Sequence, residues 1–414
     1  MSLKIAVIGS GISGLTSAYI LSQRHEVHLF EANDTLGGHT HTVTVTSDGH
    51  VANIDCGFIV FNKKTYPNFT KILDKEKVPY EKSEMSFSFY SPSKQFYYNG
   101  HSLKSLFCDT KNLYNLPFYK MLFDIVTFNR HSKKLIHRHQ VEQISLKDYL
   151  TQASYGELFI ECYLVPMISA IWSCPKEKVL DMPIPFLLNF YQNHGLLDIF
   201  NRPQWYVIKN GSTQYIPSLI SRCKENIHLS SKVENIIRIG NQVTISVNGT
   251  TQIFDKVVIA THSDEALQML AEPTSAEQAI LGSISYEKND IVLHSDVSVM
   301  PPQKKAWASW NYYENHNGVC SLNYYANRLQ NLSLKQDFIV SVNLQNKIAK
   351  EKIYMNKTFY HPILNHQAIN AQQDFPTING VNNTYFCGAY WGNGFHEDGV
   401  LSAQRACARL QEYL

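Results

Sequence analysis

Gly9, Gly11 and Gly14 stand at the spacing G-x-G-x-x-G near the start of the chain. Such a turn can receive a pyrophosphate. The first glycine permits a tight turn, the second lets backbone approach the ligand, and the third lets the following helix pack against its strand. Ile12 and Ser13 place N–H groups at the start of that helix, where the dipole favours an anion. Glu31 follows about 20 residues on, where a carboxylate can accept hydrogen bonds from a ribose. Further along, His294 lies in an apolar stretch with Asp296 on the same strand face, a candidate catalytic histidine or a satisfied core one. Trp307 and Trp310 are candidates for a channel wall, with ordinary packing as the alternative. His39 and His41 would share a strand face, but no carboxylate or cysteine joins them at ligand spacing, so no metal is expected.

The elements that must position these residues are legible as changes of period. Residues 5–8 form a short apolar run suited to a buried parallel strand, 13–23 read as a helix, and 26–30 as a second strand. Residues 43–46 and 51–61 read as two further strands, unlike the strict β–α alternation of a simple nicotinamide dehydrogenase. A helix is expected over 63–80, paired strands over 85–90 and 95–98, and mainly helix over 110–175. Ser145 and Asp148 have the spacing of a capped helix start. The first pattern resumes near 207 with strands over 227–233, 235–239, 242–247 and 255–261, then β structure over 291–322. The chain ends in strand, glycine-rich loop and helix. The expected fold is α/β (α+β overall), a Rossmann-like nucleotide domain built from 1–80, 205–265 and 375–414. An interleaved substrate domain of mixed sheet and helices takes 81–204 and 266–374.

Composition narrows the function class. The 414 residues carry a net charge of +2, which gives no case for nucleic-acid binding. Hydrophobic residues make up 44%, enough for a large core. The eight cysteines form no C-x-x-C and no disulfide framework, which points to a reducing compartment. No signal peptide fits before Gly9, and no apolar run reaches the roughly 20 residues that span a bilayer. A cytoplasmic location is therefore the expectation. Residues 113–139 run from apolar to basic, which leaves two readings: peripheral docking on anionic lipid at the inner face of the membrane, or a buried helix leading into a solvated one. Nothing in the sequence speaks to oligomeric state.

The motif Gly9-x-Gly11-x-x-Gly14, Glu31-Ala32, Gly37-Gly38, the strands at Val233 and 255–261, and the C-terminal glycine-rich helix together resemble the FAD-dependent amine oxidase and phytoene desaturase superfamily. A narrower resemblance is to bacterial NAD/FAD-binding flavoproteins associated with fatty-acyl phospholipid modification. It rests on 57–62, 170–173, 293–296, 306–311 and 394–399.

The resemblance implies FAD, with the pyrophosphate on Gly9 to Gly14, the adenosine ribose at Glu31, Ala32 and Asn33, and the adenine at the backbone of Val233. Gly37, Gly38 and His39 follow the family's Gly-Gly-Arg, with a titratable imidazole in place of the arginine. Gly57, Phe58 and Ile59 would pass beside the isoalloxazine, and Gly388 near the ribityl phosphate. Gly399 and Val400 would open the last helix toward the flavin pyrimidine, and Glu397 would bond ribityl or flavin groups. His396 is the leading active-site candidate, beside Phe395 and Trp391, with Trp172 in the substrate pocket. The loop before Phe395 has Gly392-Asn-Gly394 where covalent-flavin relatives have cysteine, so FAD is expected to be non-covalent. The implied activity is removal of a hydride from a C–H bond of a hydrophobic, fatty-acyl or lipid-like substrate, of desaturase or oxidase type. The alternatives are amine oxidation and, less favoured, a redox-neutral FAD-dependent mutase. The mutase would crowd its pocket with arginines for a sugar diphosphate, and few arginines apart from Arg202 and Arg328 stand near the substrate segments.

Overall fold

The computed structural model describes residues 2–412 apart from 48, 140, 199–201 and 316–317. Its organising element is a five-stranded parallel sheet in the order Ile227–His228, Glu26–Phe30, Lys4–Ile8, Lys256–Ile259, Thr384–Phe386. The central strand must be apolar on both faces, because parallel sheets are covered on both sides. Ile5, Ala6 and Val7 meet that demand and are fully buried. The register runs from Lys4 opposite Glu26 to Ile8 opposite Phe30 on one side, and from Ile5 opposite Lys256 to Ile8 opposite Ile259 on the other. The carboxyl ends of three strands therefore stop together, and the glycine turn begins there.

Helix Ile12–Leu21 leaves that turn and packs against the last helix, His396–Glu412. Small buried residues (Ser13, Gly14, Ser17, Ala18) let the two approach closely. A three-stranded antiparallel sheet, Val233–Ile239, Gln242–Val247 and Thr250–Phe254, flanks this layer.

The second large sheet has seven strands in the order Ile353–Pro362, Tyr286–His294, Ile339–Val342, Leu322–Tyr325, Trp310–Tyr313, Phe87–Ser91, Phe96–Asn99. All its pairings are antiparallel except Trp310–Tyr313 with Phe87–Ser91. Helices between 103 and 193 cover it, the longest being Leu116–His137. Among the described residues no helix is long and apolar enough to cross a membrane.

Several boundaries differ from the sequence reading. The strand expected over 51–61 is split into His50–Asp55 and Val60–Asn62. Between them, Cys56 and Phe58 donate to the carbonyls of His41 and His39, so this segment hugs the loop after the glycine pair instead of extending. The helix expected over 63–80 is confined to Pro67–Lys75. Proline at its first turn disfavours helical backbone before it, and Lys77 turns left-handed after it. Only Ile227–His228 of the strand expected over 227–233 joins the parallel sheet, and Val233 opens the antiparallel one. The Ser145 cap forms, with its hydroxyl accepting from the Asp148 amide.

One buried ion pair ties the antiparallel sheet to its neighbouring helix. Arg238 bonds Glu277 through two contacts of 2.5 and 3.1 Å, with both side chains almost wholly buried. Glu277 also accepts from the Thr274 amide and so caps its own helix. Arg238→Met leaves that carboxylate buried without its cation, and guanidinium unfolding is expected to show a loss of about 3–5 kcal/mol. A loss under about 1 kcal/mol, the level of a surface pair, would show that the pair does not hold the two elements together.

Candidate functional site

A cleft of about 960 Å³ runs between the two large sheets. At one end its wall is formed by Gly9, Ser10, Gly11, Ile12, Ser13, Glu31, Ala32, Asn33 and Val233. Gly11 precedes the first helix, and a Cβ there would meet nothing within 4 Å, so this backbone opens onto the cleft. Gly14 lies behind the wall, where a Cβ would fall 1.8 Å from the Gly9 carbonyl oxygen. Gly9 itself has φ of +95°. Glu31 is buried and accepts from the amide and hydroxyl of Ser10 and from the amide and side chain of Asn33. It thus fixes the turn as well as facing the cleft.

Gly38 and His39 line the middle of the cleft. Gly37 lies behind them, its amide donating to the carbonyl and hydroxyl oxygens of Ser10. His39 stacks on Phe359 at 4.6 Å, with the rings of His361 and His262 at 5.3 and 6.1 Å. Burial first, then those neighbouring imidazoles, holds His39 well below the ordinary histidine range. Its Nε2 is buried without a partner among the described residues, on a wall of the cleft. An orphaned buried nitrogen costs stability unless a ligand satisfies it.

Gly57, Phe58, Ile59, Gly388 and His396 line the part beyond. A Cβ on Gly57 would lie 2.0 Å from the His39 carbonyl oxygen, and one on Gly388 2.2 Å from the Tyr390 ring. His396 stacks on Phe58 at 3.5 Å, and its Nε2 lies 3.1 Å from the Thr40 hydroxyl and 3.2 Å from that of Tyr215. Burial lowers its pKa to about 3, so the imidazole is neutral at physiological pH. It has the character of a hydrogen-bonding positioning group, not of a cation.

The far end is aromatic. Trp172, Trp310, Tyr324 and Phe395 line it. The Trp172 indole donates to the Asn393 carbonyl, and Phe395 stacks on Phe190 at 5.3 Å. Strand Ile353–Pro362 runs along the wall from Lys357 to Pro362, with Lys357, Phe359 and His361 on its more buried face. The Lys357 ammonium lies 3.4 Å from His41 and has no carboxylate within ion-pair distance among the described residues.

Six sequence candidates stand elsewhere. His294 does not reach the cleft. It is buried in the seven-stranded sheet, bonded to the Ser341 hydroxyl and the Asp296 amide, a satisfied core histidine. The Trp307 indole donates to the Pro301 carbonyl and packs on Tyr325. Trp391 packs on Phe375 inside the core of the parallel-sheet half. Glu397 points away, where its carboxylate accepts from the amides of Asn68 and Phe69 and caps helix Pro67–Lys75. Gly399 and Val400 do not open the last helix, because Asp398 bonds the Phe395 amide and starts the helix at His396. Gly399 instead packs on the first helix, a Cβ there falling 2.6 Å from Ile12, and Val400 is fully buried. Sequence reasoning missed Thr40, Tyr215 and Lys357. The alternation at 357, 359 and 361 was the one local signal for any of them.

A glycine turn at the carboxyl ends of a parallel sheet, facing a second sheet across a long cleft, defines a dinucleotide-binding architecture. The chain belongs to the flavin containing amine oxidoreductase family, whose sequence model matches residues 12–293. No curated protein sequence matches it. The fold is similar to that of an Exiguobacterium protein assigned as a protoporphyrinogen oxidase, with TM-score 0.71, 15% identity and all of both chains covered. It is similar to cyclohexylamine oxidase from Brevibacterium oxydans, with TM-score 0.69, 15% identity, and 100% of this chain and 99% of that one covered. It is also similar to a CLA-producing fatty acid isomerase from P. acnes, with TM-score 0.69, 13% identity and the same coverage. Family membership makes the protein an oxidoreductase with a flavin cofactor.

The buried imidazoles set a pH dependence. Between pH 6.5 and about 3 the unfolded chain protonates His396 while the folded chain does not, so stability falls as pH falls through that window. His194, His294 and His361, lowered to about 4, and His39, also held well below the ordinary range, act in the same direction. Asp55 and Asp398, raised to about 6 by burial, act oppositely and are fewer. The melting temperature of the flavin-free protein is expected to drop from pH 7 to pH 5. In His396→Gln the slope below pH 6.5 is expected to be shallower by one proton, about 1.4 kcal/mol per pH unit. An unchanged slope would mean that His396 is protonated in the fold.

Proposed function

We propose that the protein binds FAD non-covalently along this cleft and oxidises a C–H bond of a hydrophobic, acyl-type substrate that carries an acidic group. The supporting observation is the aromatic character of the far end of the cleft together with the Lys357 ammonium on the wall leading to it. Trp172, Trp310, Tyr324 and Phe395 offer an apolar surface, and Lys357, on the wall of the same cleft beside His41, has no acidic partner within ion-pair distance among the described residues. The carboxylates on the cleft wall, Glu31, Glu234 and Glu265, belong to segments around the parallel sheet.

The residues present fit FAD. The N-terminus of helix Ile12–Leu21 and the Gly9–Gly11 backbone would hold the pyrophosphate, Glu31 the ribose and the Val233 segment the adenine. The unpartnered Nε2 of His39 would find a partner beside the middle of the cofactor. Ala32, Asn33, Gly38, Gly57, Phe58, Ile59 and Gly388 would form its remaining walls. The first amides of the last helix, at His396 to Asp398, would face the pyrimidine ring. No cysteine lines the cleft among the described residues, and all eight are buried and free. Bound there, FAD supplies a two-electron acceptor for a C–H bond.

The chain's own part is positional. Trp172 and Phe395, backed by Phe190, would hold an apolar chain and keep water out. His396, neutral and held by Thr40 and Tyr215, would fix the wall on which the ring rests. An ammonium on the wall disfavours a protonated amine and suits a carboxylate. No arginine lines the cleft among the described residues, which disfavours a sugar diphosphate and with it the mutase reading. Arg202 and Arg328 are turned to the Asp198 and Trp307 carbonyls.

Anaerobic mixing tests the proposal. Long-chain fatty acids are expected to bleach the visible flavin band, and primary amines to leave it unchanged. Lys357→Met is expected to raise the fatty acid concentration needed by about tenfold, the worth of one charge-assisted hydrogen bond. Bleaching by amines alone, or by neither panel, would contradict it.

A further inference from the structure

The helical layer carries a surface that the cleft chemistry does not use. Of the seventeen large apolar side chains exposed among the described residues, seven fall between 103 and 126. They include Leu103, Tyr114, Leu116 and Phe123, which are 78%, 88%, 79% and 70% exposed. The Tyr119 hydroxyl donates to the Leu113 carbonyl and its ring lies 6.0 Å from Phe107, so helix and preceding loop form one face. Helix Leu116–His137 turns its other side inward, where Phe118, Met121 and Phe128 are fully buried.

Charge completes the picture. Between 103 and 139 the chain has seven lysines and arginines and two acids. Both acids are buried: Asp109 caps the turn before the helix, and Asp124 is bonded to Lys120 and the Gly156 amide. Lys133 pairs with Asp198, while Lys104, Lys111, Arg130, Lys134 and Arg138 have no carboxylate within ion-pair distance among the described residues. The exposed apolar side chains occupy the first half of the helix, and its cations other than Lys120, which pairs with Asp124, occupy the second half. A protein partner with an apolar patch would answer the first half only. An anionic bilayer answers both, taking Leu116 and Phe123 below the headgroups and the cations among the phosphates.

We infer that this face, spanning 103–137, docks the protein on an anionic lipid surface as a peripheral, non-spanning contact. The inference does not depend on what the cleft oxidises. The docking helix shares its core with Leu187 and Phe190, and Phe190 stacks on Phe395 at the cleft wall, so one helix layer separates the docked face from the apolar end of the cleft.

Co-sedimentation of the flavin-loaded full chain with vesicles tests it, with no turnover needed. Binding is expected to phosphatidylcholine vesicles containing phosphatidylglycerol at low salt, and to fall steeply on phosphatidylcholine alone or at high salt. Leu116→Glu with Phe123→Glu is expected to abolish binding, with the visible spectrum and melting temperature unchanged because both side chains are exposed. Arg130→Gln and Lys134→Gln are each expected to weaken it about fivefold. No binding to anionic vesicles, or binding that these variants leave intact, would overturn the inference. So would a dimer in light scattering that the Leu116→Glu, Phe123→Glu chain loses while wild type ignores vesicles, since the face would then belong to a second copy.

Discussion

Four close glycine contacts, three against backbone and one against packed side chains, hold the walls of the cleft in place. At Gly14 the first helix meets the carbonyl of Gly9, and at Gly399 the last helix meets the first. At Gly57 the chain presses on the His39 carbonyl, and at Gly37 an added Cβ would fall 2.4 Å from that of Thr40. Each contact joins segments whose neighbours in sequence line the cleft. A methyl group at any of them would strike backbone or a packed side chain, and backbone cannot swing aside. The distance between the nucleotide end and the reactive end follows from this tight joining. The hydrogen bonds of Ser10 and Glu31 only refine it.

Burial then decides the chemistry the cleft can support. It leaves His39, His361 and His396 as neutral imidazoles, so the middle of the cleft carries hydrogen-bonding capacity with little charge. Charged carboxylates that the sequence places near the last helix are consumed in construction. Glu397 caps a neighbouring helix, and Asp398 sets the start of its own. The rest of the wall includes aromatic surface and the Lys357 ammonium. That combination suits hydride removal, which needs a held C–H bond and excluded water more than a strong base.

Much of this was legible in the chain. The glycine turn, Glu31 and the flanking strands announce themselves because local backbone geometry dictates them, and the interleaving of two sheets follows from where the period changes. The reactive end was less legible, because its contacts span the whole chain. His396 meets Thr40 from 356 residues away and Tyr215 from 181. Glu397 was expected to bond the cofactor, yet successive helical side chains point about 100° apart, and it faces Asn68 and Phe69 instead of the cleft wall that His396 lines. Trp307 and Trp391 look like pocket residues by type, but Trp307 finds its indole acceptor at Pro301 and Trp391 its packing on Phe375. His294 was the weighed alternative that the sheet realises, a core histidine satisfied at both nitrogens.

The central claim is that the cleft holds one FAD without a covalent bond. The direct measurement is the visible spectrum of the purified chain, followed by acid precipitation and chromatography of what is released. The account predicts a yellow protein that yields one intact FAD per chain in the supernatant, and a Glu31→Ala chain that retains markedly less. A colourless protein that takes up no added FAD, or flavin that stays with the precipitated chain, would contradict it.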